Sequence, residues 1–290
     1  MLTVLAVVFR ILANPLANVF QKQLANNRAD PLFINFVTYL FLGLLSGIYA
    51  ITINWLSFPK EFWFFSIGVG FLGALGNGFL IKALQQGDLS ILGPVNAYKS
   101  VVSLVVAFFL LGEVPGIWGG LGIVLIVVGS YVVLNTAKER FSWVVFTRKD
   151  IQYRLLAMFL AAIEAVLIKK VINYSSPEVS FIIWCWFGAL FSFGIVYYQK
   201  SAQLIGQIRL TGGHINTYAM LIFCIGLMQF TTNYTFDHMP VGYALALFQL
   251  SALLSVLLGH RFFKETDILK KLVGACIMVA GSALIILFNN

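Results

Sequence analysis

The chain has 290 residues, of which 60% are apolar and only 10% are charged. A soluble domain has about 45–50% apolar and about 25% charged residues, so the composition excludes most soluble enzymes and indicates a polytopic membrane protein. The formal net charge of +8 would suggest nucleic-acid binding in a soluble protein. Here the positive charges lie mostly between apolar segments, and no nucleic-acid partner is predicted.

Ten apolar segments follow one another along the chain, each close to the roughly 20 residues that a membrane helix needs. They are 2–24, 32–54, 62–84, 89–111, 115–135, 153–174, 178–198, 215–236, 240–262 and 268–288. Pro31, Pro115, Pro177 and Pro240 each fall where a segment begins, a position at which a helix tolerates proline well. The sequence therefore predicts an all-α integral membrane protein with ten transmembrane helices.

The longest polar break, residues 137–152, divides the segments five and five, and the two halves resemble each other. A shift of 152 residues places Glu113 on Glu265, and a shift of 146 residues places Pro31 on Pro177. The same shifts match further pairs: Ser103 with Ser255, Gly122 with Gly274, Gly129 with Gly281, Ser130 with Ser282, and Ser46 with Ser192. Because five is an odd number, the second copy must be inverted relative to the first, as in many transporters. We predict two inverted five-helix repeats, 1–136 and 153–290, joined by a polar basic linker, 137–152.

Lys and Arg are distributed unequally between the two predicted sides of the membrane. The connections on the side of the linker have 14 of the 19 Lys and Arg residues, the opposite side has three, and Arg10 and Lys99 lie inside segments. The positive-inside rule then places the linker in the cytoplasm and both termini outside. We expect a multi-pass protein of the bacterial inner (cell) membrane.

Residues 89–133 contain an early proline, a stretch of small residues, the tripeptide LGE and a glycine-rich closing helix. Residues 241–285 are similar, with KE in place of GE and without a matching proline. This order resembles the end of an EamA-type repeat of the drug/metabolite transporter superfamily. The resemblance implies a ten-helix secondary transporter of small metabolites, with a central cavity lined by several helices of each repeat. It implies no particular substrate.

Polar side chains inside the apolar segments are candidates for function because hydrocarbon does not solvate them. In the first segment Arg10, Asn14, Asn18 and Lys22 recur every four residues and form one helical stripe. We expect Arg10, Asn14 and Asn18 to face a hydrated cavity and to bind substrate. Lys22 and its neighbour Gln21 belong either to this stripe or to the layer of lipid headgroups.

Lys99 lies near the middle of the fourth segment, with Asn96 and Tyr98 close to it in the sequence, and an unpaired ammonium at that depth is costly. Glu164 lies near the middle of the sixth segment and is the only acid predicted at that depth. Lys99 and Glu164 either form a structural ion pair or bind an anionic or zwitterionic substrate. In the second case Glu164 carries a proton or pairs with an amine. Asn96 and Tyr98 belong to the predicted site with them.

The third, eighth and ninth segments add amide side chains to the predicted site. Asn77 matches Gln229 under the 152-residue shift, and Gln229, Asn233 and Asp237 recur every four residues. Asn77, Gln229 and Asn233 either bind substrate or tie helices together by hydrogen bonds. Gln249 on the ninth segment is a further candidate.

Glu113 and Glu265 occupy matching positions just before the closing helix of each half. A carboxylate there stabilises the positive N-terminal end of a helix. We interpret both as structural and place neither in the predicted binding site.

Together these features predict a secondary transporter, a permease or exporter, that moves a small polar metabolite by alternating access. The substrate would be an amino-acid-like zwitterion or an organic anion, with protons as candidate coupling ions and membrane lipids around the protein. A flippase for lipids or lipid-linked headgroups is the alternative. An intramembrane enzyme is a remote alternative, because the sequence contains no mid-span His, no H-E-x-x-H motif and no pair of deep aspartates. No catalytic residue, cofactor, metal site or Walker A motif is predicted.

Overall fold

A computed structural model describes residues 1–99, 101–102, 116–135, 146–200 and 204–288. Within these ranges the protein consists of α-helices and short connections, including a 3-10 turn at Trp55–Ser57, and contains no strand. The fold class is therefore all-α. The helices are α1 (Leu2–Asn26), α2 (Pro31–Ala50), α3 (Lys60–Gln86), α4 (Leu89–Val95), α5 (Ile117–Leu134), α6 (Lys149–Tyr174), α7 (Pro177–Lys200), α8 (Leu204–Gly213), α9 (Ile215–His238), α10 (Val241–Phe248), α11 (Ser251–Phe263) and α12 (Ile268–Phe288).

Eight spans in the described part of the chain are long and apolar enough to cross a membrane. They lie in α1, α2, α3, α5, α7, α9, the α10–α11 pair and α12. The sixth predicted segment corresponds to α6, which carries six charged residues and is not among the eight. The fourth predicted segment extends over residues 100 and 103–111, which lie outside the described residues. The protein is thus multi-pass, and the number ten stays a prediction.

Prolines mark the start of several helices. The side chain of Asp30 accepts hydrogen bonds from two backbone N–H groups of the first turn of α2, at 2.9 and 3.3 Å, which the start of a helix otherwise leaves without partners. Pro31 then occupies the first helical position. Pro177 opens α7 and Pro240 caps α10, as the sequence predicts, whereas Pro115 lies outside the described residues.

The closing helices of the two halves, α5 and α12, pack against each other through four glycines. A β-carbon on Gly122 would lie 2.6 Å from the carbonyl oxygen of Gly281, and one on Gly129 would lie 2.7 Å from that of Gly274. The residue numbers of the contacts therefore increase along α5 while they decrease along α12. The two matching helices are antiparallel, and their backbones approach closely because the glycines have no side chains.

The matching helices α2 and α7 are antiparallel as well. Asn35, near the start of α2, donates a hydrogen bond to the hydroxyl of Ser192 in the C-terminal part of α7 (3.2 Å), and further along α2 the ring of Tyr39 packs against Gly188. In addition α3 packs on α6, and α1 packs on α9. Because α1 matches α6 and α3 matches α9, interchanging the two halves converts one of these contacts into the other. This is the relationship that inverted repeats require.

The short helix α8 lies between α7 and α9, in the connection where the alignment of the halves changes from a shift of 146 to a shift of 152 residues. It is 10 residues long. Gln207 of α8 accepts a hydrogen bond from the backbone of Asp30 (2.8 Å). The extra length of the second half is therefore accommodated outside the predicted spans.

Candidate functional site

Helices from both halves surround a central cavity of about 120 Å³. Its lining comes from α1, α3, α6, α7, α9 and α10 and from the segment that follows α4. Eight of the eleven predicted site residues line it: Arg10, Asn14, Asn18, Asn77, Asn96, Lys99, Glu164 and Gln229. Both halves thus contribute polar side chains to a single space.

Arg10 is held in this cavity by two contacts with the second half. Its Nε donates a hydrogen bond to Thr232 Oγ1 on α9 (3.0 Å). Its guanidinium carbon lies 4.6 Å from the ring centroid of Phe248, a cation–π geometry. The Nη1 atom of Arg10 is buried and has no hydrogen-bond partner among the described residues. Leaving a charged donor unpaired is costly, so Nη1 is suited to an acceptor on a ligand.

The other polar residues of α1 have different surroundings. Asn14 lines the cavity and also donates a hydrogen bond to Ser251 at the start of α11 (3.4 Å). Asn18, one turn further, lines the cavity and is only 4% exposed. Gln21 and Lys22 are buried, so neither lies at a surface where lipid headgroups would reach it.

Glu164 projects from the middle of α6 into the cavity. Its Oε1 accepts a hydrogen bond from the indole Nε1 of Trp184 on α7 (2.8 Å). A β-carbon on Gly73 of α3 would lie 2.6 Å from the same oxygen, so the glycine leaves room for the carboxylate. The indole and the glycine therefore fix where the carboxyl group of Glu164 lies.

Lys99 follows α4 in a short helical stretch and lines the same cavity. It shares this space with the side chains of Glu164, Arg10 and Arg154. This arrangement brings Lys99 and Glu164 into one electrostatic cluster. It is compatible with a structural pair and with a pair of substrate ligands.

Arg154, in the second turn of α6, is a cavity residue that the sequence analysis missed. It was counted there among the basic residues of the linker side, but it is 7% exposed and lines the cavity. Its Nε donates a hydrogen bond to the carbonyl of Leu92 in α4 (2.8 Å). Helical spacing is the signal that could have revealed it, because positions 154, 157, 161, 164 and 168 share one face of α6. Trp184 and Thr232 were missed as well.

Two matching helices are interrupted beside the cavity. After α4 the N–H groups of Asn96 and Ala97, and after α10 those of Gln249 and Leu250, bond to the carbonyl three residues back rather than four. The 152-residue shift places Ala97 on Gln249. Such 3-10 turns within helices often mark functional hinges. The first interruption also directs Asn96 and Lys99 toward the cavity.

Three predicted site residues lie outside the cavity lining. Tyr98 donates a hydrogen bond from its hydroxyl to Ser130 on α5 (2.6 Å). Asn233 is fully buried and donates to the carbonyl of Pro177 (3.3 Å). Gln249 is 1% exposed and accepts a hydrogen bond from Asn96 (3.4 Å). Their contacts join helices.

The amides that do line the cavity also contact other side chains. Asn77 donates a hydrogen bond to the hydroxyl of Tyr39 (2.8 Å). Gln229 donates to the side chain of Asn233 one turn along α9 (2.9 Å). Of the polar stripe predicted on this helix, Gln229 faces the cavity, Asn233 faces the neighbouring α7, and Asp237 is exposed at the helix end.

An ion pair connects the two halves on the linker side of the cavity. Lys22 Nζ lies 2.8 Å from Glu265 Oε1 and also donates to the carbonyl of Gly87 (2.8 Å). The two carboxylate oxygens of Glu265 accept the backbone N–H groups of Leu89 and Ser90 (2.9 and 2.8 Å). Glu265 therefore caps α4 of the first half. From its position in the sequence Glu265 was expected to stabilise the closing helix of its own half, and the matching Glu113 lies outside the described residues.

The surroundings of Glu265, which lies between α11 and α12, determine its ionisation. Burial acts to raise the pKa of the carboxyl group. The charge of Lys22 and the hydrogen bonds from Lys22 and Ser90 act in the opposite direction and prevail, so the pKa of Glu265 is lowered. The carboxylate is thus held in its charged form.

Eight apolar spans of membrane length among the described residues, with matching helices of the two halves packed antiparallel and a charged cavity between the halves, define an integral multi-pass membrane protein with the architecture of a transporter. A family model described as the EamA-like transporter family matches residues 2–135 and again residues 149–287. The chain belongs to this family and is a membrane transporter of the drug/metabolite transporter superfamily, with two EamA repeats.

Structural comparison finds the same fold in a solved protein structure. A solved structure described as "Crystal structure of protein" has a TM-score of 0.64 and 16% sequence identity. The alignment covers 99% of this chain and 98% of that chain. No curated protein sequence matches the chain.

Proposed function

We propose that the protein is a secondary transporter that moves a small polar metabolite, an amino-acid-like zwitterion or an organic anion, by alternating access. The observation that carries this proposal is the meeting of Arg10, Lys99 and Glu164 in one cavity between the halves. Charged groups inside a membrane are costly and usually serve a substrate or ion pathway. Inverted-repeat transporters place their substrate site at this position.

Two features support alternating access. The Lys22–Glu265 ion pair joins the halves on one side of the cavity, and it would have to break for the cavity to open there. The 3-10 interruptions after α4 and α10 lie at the cavity wall and are places where the backbone can bend. Opening and closing would then be movements of one repeat against the other.

A proton is the proposed coupling ion. Among the described residues that line the cavity, Glu164 is the only acid. A carboxylate can take up a proton on one side of the membrane and release it on the other. Glu164 lies in the same charge cluster as Lys99, so its protonation would alter the charge presented to the substrate.

The distribution of charge supports an orientation. We propose a protein of the bacterial inner membrane with the linker in the cytoplasm and both termini outside. Lys22 and Lys271 lie on the linker side, where Lys22 pairs with Glu265 and Lys271 lies 3.8 Å from Asp88 at the start of α4. Single cysteines in the linker or at the N-terminus of the protein, labelled in intact cells with a reagent that does not cross the membrane, would test this orientation. We expect label at the N-terminus and none in the linker.

Transport by purified protein is the direct test of the function. A thermal-shift screen of amino acids, organic acids, nucleobases and phosphorylated metabolites would identify ligands, and counterflow in proteoliposomes would measure their exchange. We expect a ligand that stabilises the wild type but not Lys99→Ala and that the vesicles exchange. Arg261→Gln, at an exposed position, is the control. Stabilisation by lipid headgroups without exchange of any soluble compound would replace this proposal with a flippase.

A further inference from the structure

Two arginines give the cavity a permanent positive charge. Arg10 and Arg154 both line it, and a guanidinium group stays protonated in proteins. Neither forms an ion pair with a described residue. Asp150, one turn before Arg154, pairs instead with Arg148 (2.6 Å). The two guanidinium charges therefore have no carboxylate of their own within the described part of the protein.

The remaining charged residues of the cavity compensate each other. Lys99 and Glu164 are a basic and an acidic residue that line the same cavity. Together they contribute no net charge when both are ionised. The lining of described residues contains three basic side chains and one acidic one, so an excess of two positive charges remains. That excess is the pair of arginines.

Both arginines also keep donors for a ligand. Arg10 Nη1 is buried without a described partner, while its Nε is occupied by Thr232. Arg154 uses its Nε to bond Leu92, and no protein acceptor in the described residues contacts its Nη groups. Guanidinium groups bind carboxylates and phosphates through pairs of parallel hydrogen bonds. Each guanidinium group is thus held through its Nε atom, while Nη donors remain for an anion.

We propose that the transported molecule is a small organic dianion, a dicarboxylate or a phosphate monoester, bound by Arg10 and Arg154. This inference rests on the proposed transport function and narrows its substrate class. A dianion neutralises both guanidinium charges inside the membrane, whereas a zwitterion leaves both uncompensated and a monoanion leaves one. The cavity of about 120 Å³ is small compared with the roughly 300–1,000 Å³ of drug-sized ligand sites, which favours a compact dianion.

Binding to the purified 290-residue protein in a chloride buffer tests this inference. The probes are succinate and glycerol 3-phosphate as dianions, propionate as a monoanion and alanine as a zwitterion. At least one dianion should bind ten or more times more tightly than propionate and alanine. In Arg10→Gln and Arg154→Gln its Kd should rise by about 10- to 100-fold, the loss expected for one charged hydrogen-bonded contact. Arg261→Gln removes the same charge from an exposed position and should leave Kd unchanged.

Lysine variants keep the test decisive if a glutamine variant does not fold. Arg10→Lys and Arg154→Lys retain the charge but lose the paired donors, and we expect intermediate Kd values. If alanine binds as tightly as succinate and glycerol 3-phosphate, the proposal that the substrate is a dianion is wrong. Unchanged dianion affinity in both the Arg10 and Arg154 variants would overturn the assigned residues, and no dianion binding by folded wild type would overturn the inference entirely.

Counterflow in proteoliposomes separates this inference from the proposed function. If the vesicles exchange alanine and the protein binds no dianion, the proposed substrate class is wrong but the proposed transport function stands. If a dianion binds in a way that depends on the two arginines but no dianion is exchanged, the proposed transport function is wrong and the binding site stands. Nanodiscs containing phosphatidate add the lipid arm, because stabilisation by phosphatidate but by neither succinate nor glycerol 3-phosphate would overturn the small soluble dianion and assign the two arginines to a lipid phosphate instead.

Discussion

Gly122 of α5 and Gly281 of α12 lie so close together that a β-carbon on either would come within 2.6 Å of the other's carbonyl oxygen. Gly129 and Gly274 repeat this reciprocal approach at 2.7 Å. The repeat alignment matches Gly122 with Gly274 and Gly129 with Gly281, so interchange of the halves converts one contact into the other. The contact between the closing helices is therefore symmetric in sequence and in structure.

The close approach predicts that this interface does not tolerate side chains. Gly281→Ala should lower the free energy of unfolding by roughly 1–3 kcal/mol, the usual cost of overpacking. Gly120→Ala in α5 is the matched control, because nothing lies within 4 Å of its new β-carbon and both changes bring the same gain in helix propensity. Melting temperatures in detergent compare the two, and equal values would contradict the tight contact.

The Lys22–Glu265 pair predicts a large loss of stability when one partner is removed. Both side chains are almost completely buried, at 8% and 3% exposed. Removing one leaves the other charge buried, which costs about 3–5 kcal/mol. Lys22→Gln and Glu265→Gln should each destabilise the protein, and the double variant should be less destabilised than the sum of the two. Strict additivity in the melting temperatures would show that the residues do not interact.

The lowered pKa of Glu265 predicts a pH dependence of stability. An unfolded-state carboxyl titrates near about 4.3, so the contribution of Glu265 is fully present above that pH and is lost as the pH falls through the lower folded-state pKa. The difference in melting temperature between wild type and Glu265→Gln should therefore shrink on acidification below pH ~4. A difference that is independent of pH would argue against a charged Glu265.

The two interpretations of Lys99 and Glu164 predict different results. If the residues bind substrate or protons, Lys99→Ala and Glu164→Gln each reduce transport by on the order of tenfold or more, the effect of losing a charged contact, while folded protein remains in the membrane. We expect this result, together with loss of the response to a pH gradient in Glu164→Gln. If Lys99→Ala instead destabilises the protein and the double variant restores both stability and transport, the pair is structural.

Tyr98 tests whether proximity in the sequence is enough to assign a site residue. Its hydroxyl bonds Ser130 rather than facing the cavity. Tyr98→Phe should cost about 1 kcal/mol of stability, the value of one hydrogen bond, and leave the transport rate unchanged. Tyr197→Phe, at a position 62% exposed, is the control for stability. A transport defect in Tyr98→Phe at normal protein levels would place Tyr98 in the mechanism.

Helical periodicity and repetition made much of this architecture predictable. The spacing of Arg10, Asn14 and Asn18 identifies one face of α1, and the repeated glycines identify the closing helices. Tyr98 and Lys99 are adjacent in the sequence but differ by about 100° around a helix, so a place in the cavity for Lys99 did not by itself imply one for Tyr98. That geometric limit was available in the sequence.

Other features depend on contacts between distant parts of the chain. A basic residue at the start of a predicted span is normally read as a sign of orientation, and that interpretation hid Arg154. Its position depends on a hydrogen bond to the carbonyl of Leu92 in α4. Glu265 likewise lies before one helix and caps another. Sequence patterns describe faces and ends of helices, but they do not say which helix a side chain will meet.

The capping of α4 by Glu265 has a consequence for biosynthesis. The backbone N–H groups of Leu89 and Ser90 receive their acceptors from a residue 176 and 175 positions later. The first half of the chain therefore reaches the membrane with the start of α4 uncapped and with Lys22 lacking its counterion. Their partner in the folded protein becomes available only after Glu265 has been synthesised. Chains that end before residue 265 should consequently be recognised by quality-control proteases, even though they contain a complete first repeat.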